Sequence, residues 1–303
     1  MSFIRTIRGD IAPNELGVCY AHEHVVIDDS WATRQFPQYR LNDVGRIVEE
    51  LKAFHAVGGR AMVDAMPIDA GRNLILLAEV SRVSGVHIVA PTGLHLAMYY
   101  PPDHWSHEPD PIETARRFAD DITNHRCGVI KIASSLDRLR EREVLIFTAA
   151  AAAHAKTGCP ILTHTEEGTA AIEQLEILRD HGVDLSHVCL SHTDRKPDVA
   201  YHREILSSGV RLEFDSAFRG KKGTPTLDLL AALINDYPDQ LMLGMDAARS
   251  SYWRSYGGAP GLTYLLTDFT AQMKSRGITD EQLHKIFVTT PASTYSFAER
   301  PNG

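Results

Sequence analysis

The stretch Gly128-Val129-Ile130-Lys131-Ile132-Ala133-Ser134 decides how this chain is read. It is a short, β-branched apolar run, the composition of a buried strand, yet a lysine stands at its centre. Side chains alternate along a strand. If Ile130 and Ile132 face covering helices, Lys131 is turned the other way, toward whatever the sheet encloses.

Working outward, seven more runs of this kind occur: Gly17–Val25, Ala61–Met66, His87–Thr92, Pro160–Thr165, Val188–Thr193, Val210–Ser216 and Leu241–Ala247. Helix-sized connections separate them. After Asn42 and Asp43, either able to cap, apolar residues fall at Val44, Ile47, Val48, Leu51, Phe54 and Val57, a helical period that Gly58-Gly59 ends. Further helices are expected from about Arg140 to Lys156, stopping at Gly158, and from Thr169 to about Asp180, stopping at Gly182; Pro197 is placed to open another. Strands alternating with helices call for a parallel sheet, and eight such units point to an α/β fold of the closed (β/α)8 TIM-barrel kind. The expectation is a single barrel domain over residues 1–303, with a terminal helix after Thr279 packed on it. An open doubly wound sheet would more often carry a glycine-rich phosphate loop after its first strand, and none is present.

The composition bounds the function. The 303 residues are 44% hydrophobic and 23% charged, as in soluble globular enzymes. No apolar stretch is long enough to cross a bilayer, and Arg5 and Arg8 near the start precede no apolar region of a secretory signal. A formal net charge of -8 without a basic stripe argues against nucleic acid as a partner. Cys19, Cys127, Cys159 and Cys189 lie singly, so reduced thiols in a cytoplasmic protein are expected.

The polar residues on the strands carry the chemistry. His22 and His24 are two apart and share a face; His164, His192 and Asp246 end the fifth, sixth and eighth runs. With Lys131, all six project inward near the C-terminal ends of their strands, where barrels of this kind hold their active sites. Singly, each has a bland reading, and His-x-His is common by chance. Four histidines, a lysine and an aspartate converging at one end are hard to explain as packing, since an inward ammonium costs several kcal/mol unless paired or neutralised. Imidazole and carboxylate together read as a hydrolytic metal centre, zinc first and manganese, cobalt or iron as alternatives. Desolvation lowers a lysine's pKa, and the free amine can react with carbon dioxide to give a carbamate able to bridge two cations.

Thr6-Ile7-Arg8-Gly9-Asp10 through His22-Glu23-His24, Gly128–Ala133, Thr163-His164-Thr165, Ser191-His192-Thr193-Asp194 and Met245-Asp246 resemble, in order, the motifs of the phosphotriesterase-related branch of the amidohydrolase superfamily. The resemblance covers nearly the whole chain. It implies that His22, His24 and Asp246 bind the more buried of two divalent ions and that His164 and His192 bind the more exposed one. Lys131, carboxylated, would bridge them. A shared hydroxide would be the nucleophile, with Asp246 handling its proton. It also implies a small-molecule substrate and a homodimer. Two places depart from the family: His95 follows Thr92-Gly93-Leu94 where several lactonases have an aromatic residue just after the Thr-Gly, which weighs against acyl-homoserine lactones, and Thr290-Pro291-Ala292-Ser293 replaces the usual Asn-Pro-Ala-Arg.

Substrate choice in this fold lives on the strand-to-helix loops. The third loop, Leu94 to Asp110, carries His95, Met98, Tyr99, Tyr100 and Trp105; the seventh holds Arg219, Lys221 and Lys222; the eighth holds Arg249, Tyr252 and Trp253. Arg249 and Tyr252, three and six residues past Asp246, resemble the pattern of relatives that hydrolyse lactones of phosphorylated sugars. The reading is a lactone or carboxylic-ester hydrolase for an anionic sugar or phosphosugar lactone, with His95, Tyr99, Arg249, Tyr252 and Trp253 as substrate contacts. The alternatives are an amide or N-acyl hydrolase, an organophosphate triesterase, or an idle binding protein.

Overall fold

The computed structural model describes residues 2–219 and 225–298. An antiparallel hairpin comes first, β1 (Ile4–Thr6) and β2 (Gly9–Ile11). Then come β3 (Cys19–Glu23), β4 (Ala61–Asp64), β5 (His87–Val89), β6 (Pro91–Gly93), β7 (Val129–Ser134), β8 (Ile161–Thr165), β9 (Val188–Ser191), β10 (Arg211–Phe214) and β11 (Leu241–Leu243). Interleaved are α1 (Trp31–Gln35), α2 (Val44–Ala56), α3 (Leu74–Ser84), α4 (Pro111–Asn124), α5 (Glu141–Thr157), α6 (Ala171–Asp180), α7 (Val199–Leu206), α8 (Pro225–Leu233) and α9 (Asp268–Ser275).

β3-β4-β5 and β6 through β11 form two parallel ladders in chain order. β5 and β6 are one expected strand, His87–Thr92, broken at Ala90. The end of β11 returns to β3: the Asp246 N–H donates to the His22 carbonyl at 3.1 Å, and the Glu23 carboxylate accepts the N–H groups of Met245 (2.7 Å) and Ala247 (3.2 Å). The fold is a (β/α)8 TIM barrel, with Glu23 latching its seam.

Period-two alternation divides the core. Val129 belongs to an inner cluster with Cys19, Ala21, Ala61, Val63, Val89, Leu162, Cys189 and Met242, whereas Ile130 and Ile132 belong to the outer cluster under the helices. Lys131 therefore lies on the inner face, as the flanking isoleucines predict. Ile4, Leu16 and Tyr295 close the lower end of the inner cluster, and the Tyr295 hydroxyl donates to the Ala21 carbonyl at 2.7 Å.

Local signals act as expected at most helix ends. Asp43 caps α2 by accepting the Arg46 N–H, and Gly158 ends α5 in the left-handed region at φ 75°. Pro197 does not open α7. Asp198, the better cap, accepts the Tyr201 N–H and starts the helix at Val199, leaving the proline outside. The terminal helix after Thr279 is three consecutive pieces, α10 (Asp280–His284), a π-helical turn (Lys285–Thr289) and α11 (Thr290–Thr294). All four cysteines are free and buried, and among the described residues no helix is long and apolar enough to cross a membrane.

Candidate metal centre

Several expected strands stop short of their sequence limits, and the residues beyond them build the site. β9 ends at Ser191 and β11 at Leu243, so His192 and Asp246 lie just past the ladders, with φ of 67° and 46°. A left-handed conformation at a non-glycine residue is costly and aims a side chain that a regular strand would not. His22 and Lys131 are 1% exposed, and the His22 ring centre lies 5.6 Å from that of His24 and 4.7 Å from that of His192. The His164 and His192 rings stand 4.5 Å apart. Asp246 Oδ1 lies 3.2 Å from His24 Nε2 and 3.7 Å from His22 Nε2.

Three of the four imidazoles are oriented by a hydrogen bond. His22 Nδ1 bonds Ser191 Oγ at 2.8 Å, His164 Nε2 bonds Glu166 Oε2 at 2.8 Å, and His192 Nδ1 makes a short bond to Asp215 Oδ2. One nitrogen of each ring is thereby fixed and the other left for a ligand, the arrangement metal-binding histidines adopt. His22 Nε2, His24 Nδ1 and Lys131 Nζ are buried with no hydrogen-bond partner among the described residues. Orphaned buried nitrogens are costly and rare, and here they belong to residues expected as ligands. The donors of His22, His24 and Asp246 also lie within 4.8 Å of one another, close enough to share one ion. The residues fit a bound metal.

The electrostatics agree. Burial brings the Lys131 ammonium down to about 8, against the pull of Asp246 and Glu213, so a free amine is accessible near neutral pH. Burial, then Lys131, holds His22 well below the ordinary imidazole value; burial and Arg195 do the same for His192. Burial opposes ionisation of Asp246, but Arg219, His24 and His192 outweigh it and hold its carboxyl well below the usual range. Arg195 Nη2 and Arg219 Nη2 reach Asp246 Oδ2 at 3.0 and 2.8 Å.

A cavity of about 290 Å³ opens above these groups, lined by His22, His24, His164, His192, Asp246, His95, Tyr99, Glu166, Arg195, Arg219, Arg249 and Tyr252 among others. Trp253 is a correction: it is fully buried and does not line the cavity, because its indole N–H is drawn to the Ala247 carbonyl at 2.8 Å. Arg249 is exposed, stacks on Tyr39 at 5.6 Å and pairs with no carboxylate among the described residues. Lys221 and Lys222 lie outside the described residues.

Sequence reasoning passed over Glu166, Arg195, Ser191, Glu213 and Asp215. Glu213 and Asp215 were within reach. They stand two apart on an expected buried strand, the same spacing that singles out His22 and His24.

A barrel that gathers four histidines, an aspartate and a buried lysine at its C-terminal end is the framework of a metal-dependent hydrolase. This chain is one, and it belongs to the phosphotriesterase family, whose profile matches residues 2–295. It is 27% identical over 331 residues to a phospho-furanose lactonase of Mycoplasmopsis synoviae, covering 99% of this chain and 93% of that one. A lactonase from Listeria monocytogenes superposes with a TM-score of 0.92 at 27% identity, covering 98% of this chain and all of that chain (100%). The phosphotriesterase homology protein from Escherichia coli, solved with phosphate in its active site, superposes with a TM-score of 0.87 at 29% identity, covering 93% of this chain and 99% of that one.

Proposed function

We propose that this hydrolase opens the lactone, or a related carboxylic ester, of an anionic sugar or phosphosugar. The observation that carries the hydrolytic part is the set of orphaned nitrogens on His22, His24 and Lys131 beneath a cavity. His22, His24 and Asp246 would hold one divalent ion, zinc first, and His164 and His192 the other, with Lys131 carboxylated between them. Bound there, the ions would acidify a water and polarise the substrate carbonyl. Asp246, kept ionised by Arg195 and Arg219, takes up the proton that the attacking water loses. Glu166 and Asp215 keep His164 and His192 aimed. Arg249, with no carboxylate partner among the described residues, binds the anionic group, and Tyr252 lines the cavity beside it. The phospho-furanose lactonase and the phosphate-bound relative support the anionic choice.

A screen of metal-loaded protein against phosphorylated and plain sugar lactones, N-acyl amino acids and paraoxon-type esters tests the reading. The highest kcat/KM is expected on an anionic lactone. Arg249→Met should raise KM for it by about 10- to 100-fold, the loss of a charge-assisted hydrogen bond, and leave neutral lactones unchanged. Equal effects on both, or better turnover of amides, would sink it. A homodimer is part of the same proposal. Sedimentation at twice the 33.6 kDa chain mass would bear it out.

A further inference from the structure

His95, at the start of the connection from β6 to α4, is fixed from several sides. Its backbone N–H donates to the Tyr100 hydroxyl oxygen at 2.8 Å, and its carbonyl accepts from Arg142 Nη1 at 3.0 Å. Its ring centre lies 4.5 Å from that of Tyr99 and 5.0 Å from that of His164. Its Nδ1 accepts the main-chain N–H of Leu96 at 2.7 Å. Arg142, on α5, also donates to the Ser106 carbonyl at 2.6 Å and to Ser106 Oγ at 3.2 Å. One guanidinium thus ties the beginning of the loop to its middle.

The bond from Leu96 sets the chemistry of the ring. An imidazole nitrogen that accepts an N–H must present its lone pair there, so the ring proton resides on Nε2. That nitrogen has no hydrogen-bond partner among the described residues, and the ring lines the cavity beside His164. In this tautomer the ring has no second lone pair to give a metal. It has one N–H to give a ligand, and its backbone is held too firmly for the ring to turn over without breaking the bond to Leu96.

Resting on the lactonase reading, we infer that His95 is a prearranged hydrogen-bond donor to an ester oxygen of the bound substrate, and that Arg142 is the positioning residue that fixes it. A ring kept only for shape would serve equally well as phenylalanine. The pair His95→Phe and His95→Gln separates the two cases, since glutamine restores an N–H near the place of Nε2. His95→Phe should lower kcat/KM for the preferred substrate by about 10- to 100-fold, and His95→Gln should recover most of it, both at full metal content. Long-range ¹H–¹⁵N correlation on the zinc-loaded wild-type protein, with His95→Gln assigning the signal, should show the Nε2–H tautomer. Arg142→Met should disturb that signal without lowering metal content. An Nδ1–H tautomer, or unchanged kcat/KM in His95→Phe, would overturn the inference. Failure of the wild type on every lactone would instead count against the proposed function, so the two failures are told apart.

Discussion

Lys131 stands in a place where no unmodified lysine is comfortable: fully buried, with an orphaned amine and an ammonium brought down to about 8. An unfolded lysine titrates near 10.4, so between about 8 and 10.4 the folded metal-free protein binds fewer protons than the unfolded chain. Its stability should rise with pH through that window, and the cost of burying the charge should be full below it. Lys131→Met lacks this cost. Urea unfolding in chelator and carbonate-free buffer should find the variant more stable by up to ~3 kcal/mol near pH 7, with the gap closing by pH 10.5. A gap that stays constant with pH would refute the argument. Around the same centre, Asp215 orients His192 from behind. Asp215→Asn should weaken the second metal equivalent by about 10- to 100-fold while sparing the first, read by calorimetric zinc titration.

The elements show what the sequence could and could not disclose. Alternation along β7 made Lys131 legible, because a period of two needs only the strand itself, and the same spacing put His22 and His24 on one face. That this face looks inward was not legible, since Cys19 and Ala21 already face inward and the strand shifts register between Tyr20 and Glu23. The supports of those side chains were not legible in the same way. Glu166 and Arg195 sit in loops and take their meaning from a histidine or a carboxylate brought near by folding. Strand ends were overestimated for a related reason: the segments around His192 and Asp246 are apolar enough to read as strand, but the chain leaves the ladder there at positive φ. The packing of β6 on β7 was also hidden. At Gly93, φ is 109°, and a Cβ would fall 1.9 Å from the Lys131 carbonyl oxygen on the neighbouring strand. Gly93→Ala must therefore displace the strand that carries Lys131. It should cost on the order of 4 kcal/mol in urea unfolding and lower metal content. Gly182→Ala, at φ 76° but with nothing within 4 Å of the added methyl, should cost only about 1 kcal/mol.

For the whole molecule, the charge balance opposes the proposed substrate. The chain carries a formal net charge of -8, while the cavity holds Arg195, Arg219 and Arg249. Two of these are already committed: Arg195 pairs with Asp246 and Asp215, and Arg219 reaches Asp246 at 2.8 Å and Asp215 at 3.9 Å. Arg249 is the cavity guanidinium without a carboxylate among the described residues. A phosphorylated lactone with about two negative charges should then be repelled at long range and held only at contact. At a separation of roughly 25 Å the repulsion is on the order of 1 kcal/mol at 10 mM salt and a few tenths at 100 mM, where the screening length is about 10 Å. The contact with Arg249 acts over a few ångströms and is screened far less. Raising salt from about 10 to 100 mM should therefore increase kcat/KM for the anionic lactone several-fold and leave a neutral lactone flat, the opposite of an electrostatically steered enzyme. A steep fall with salt would mean that the cations at the mouth, and not the acidic surface, govern the approach of the substrate.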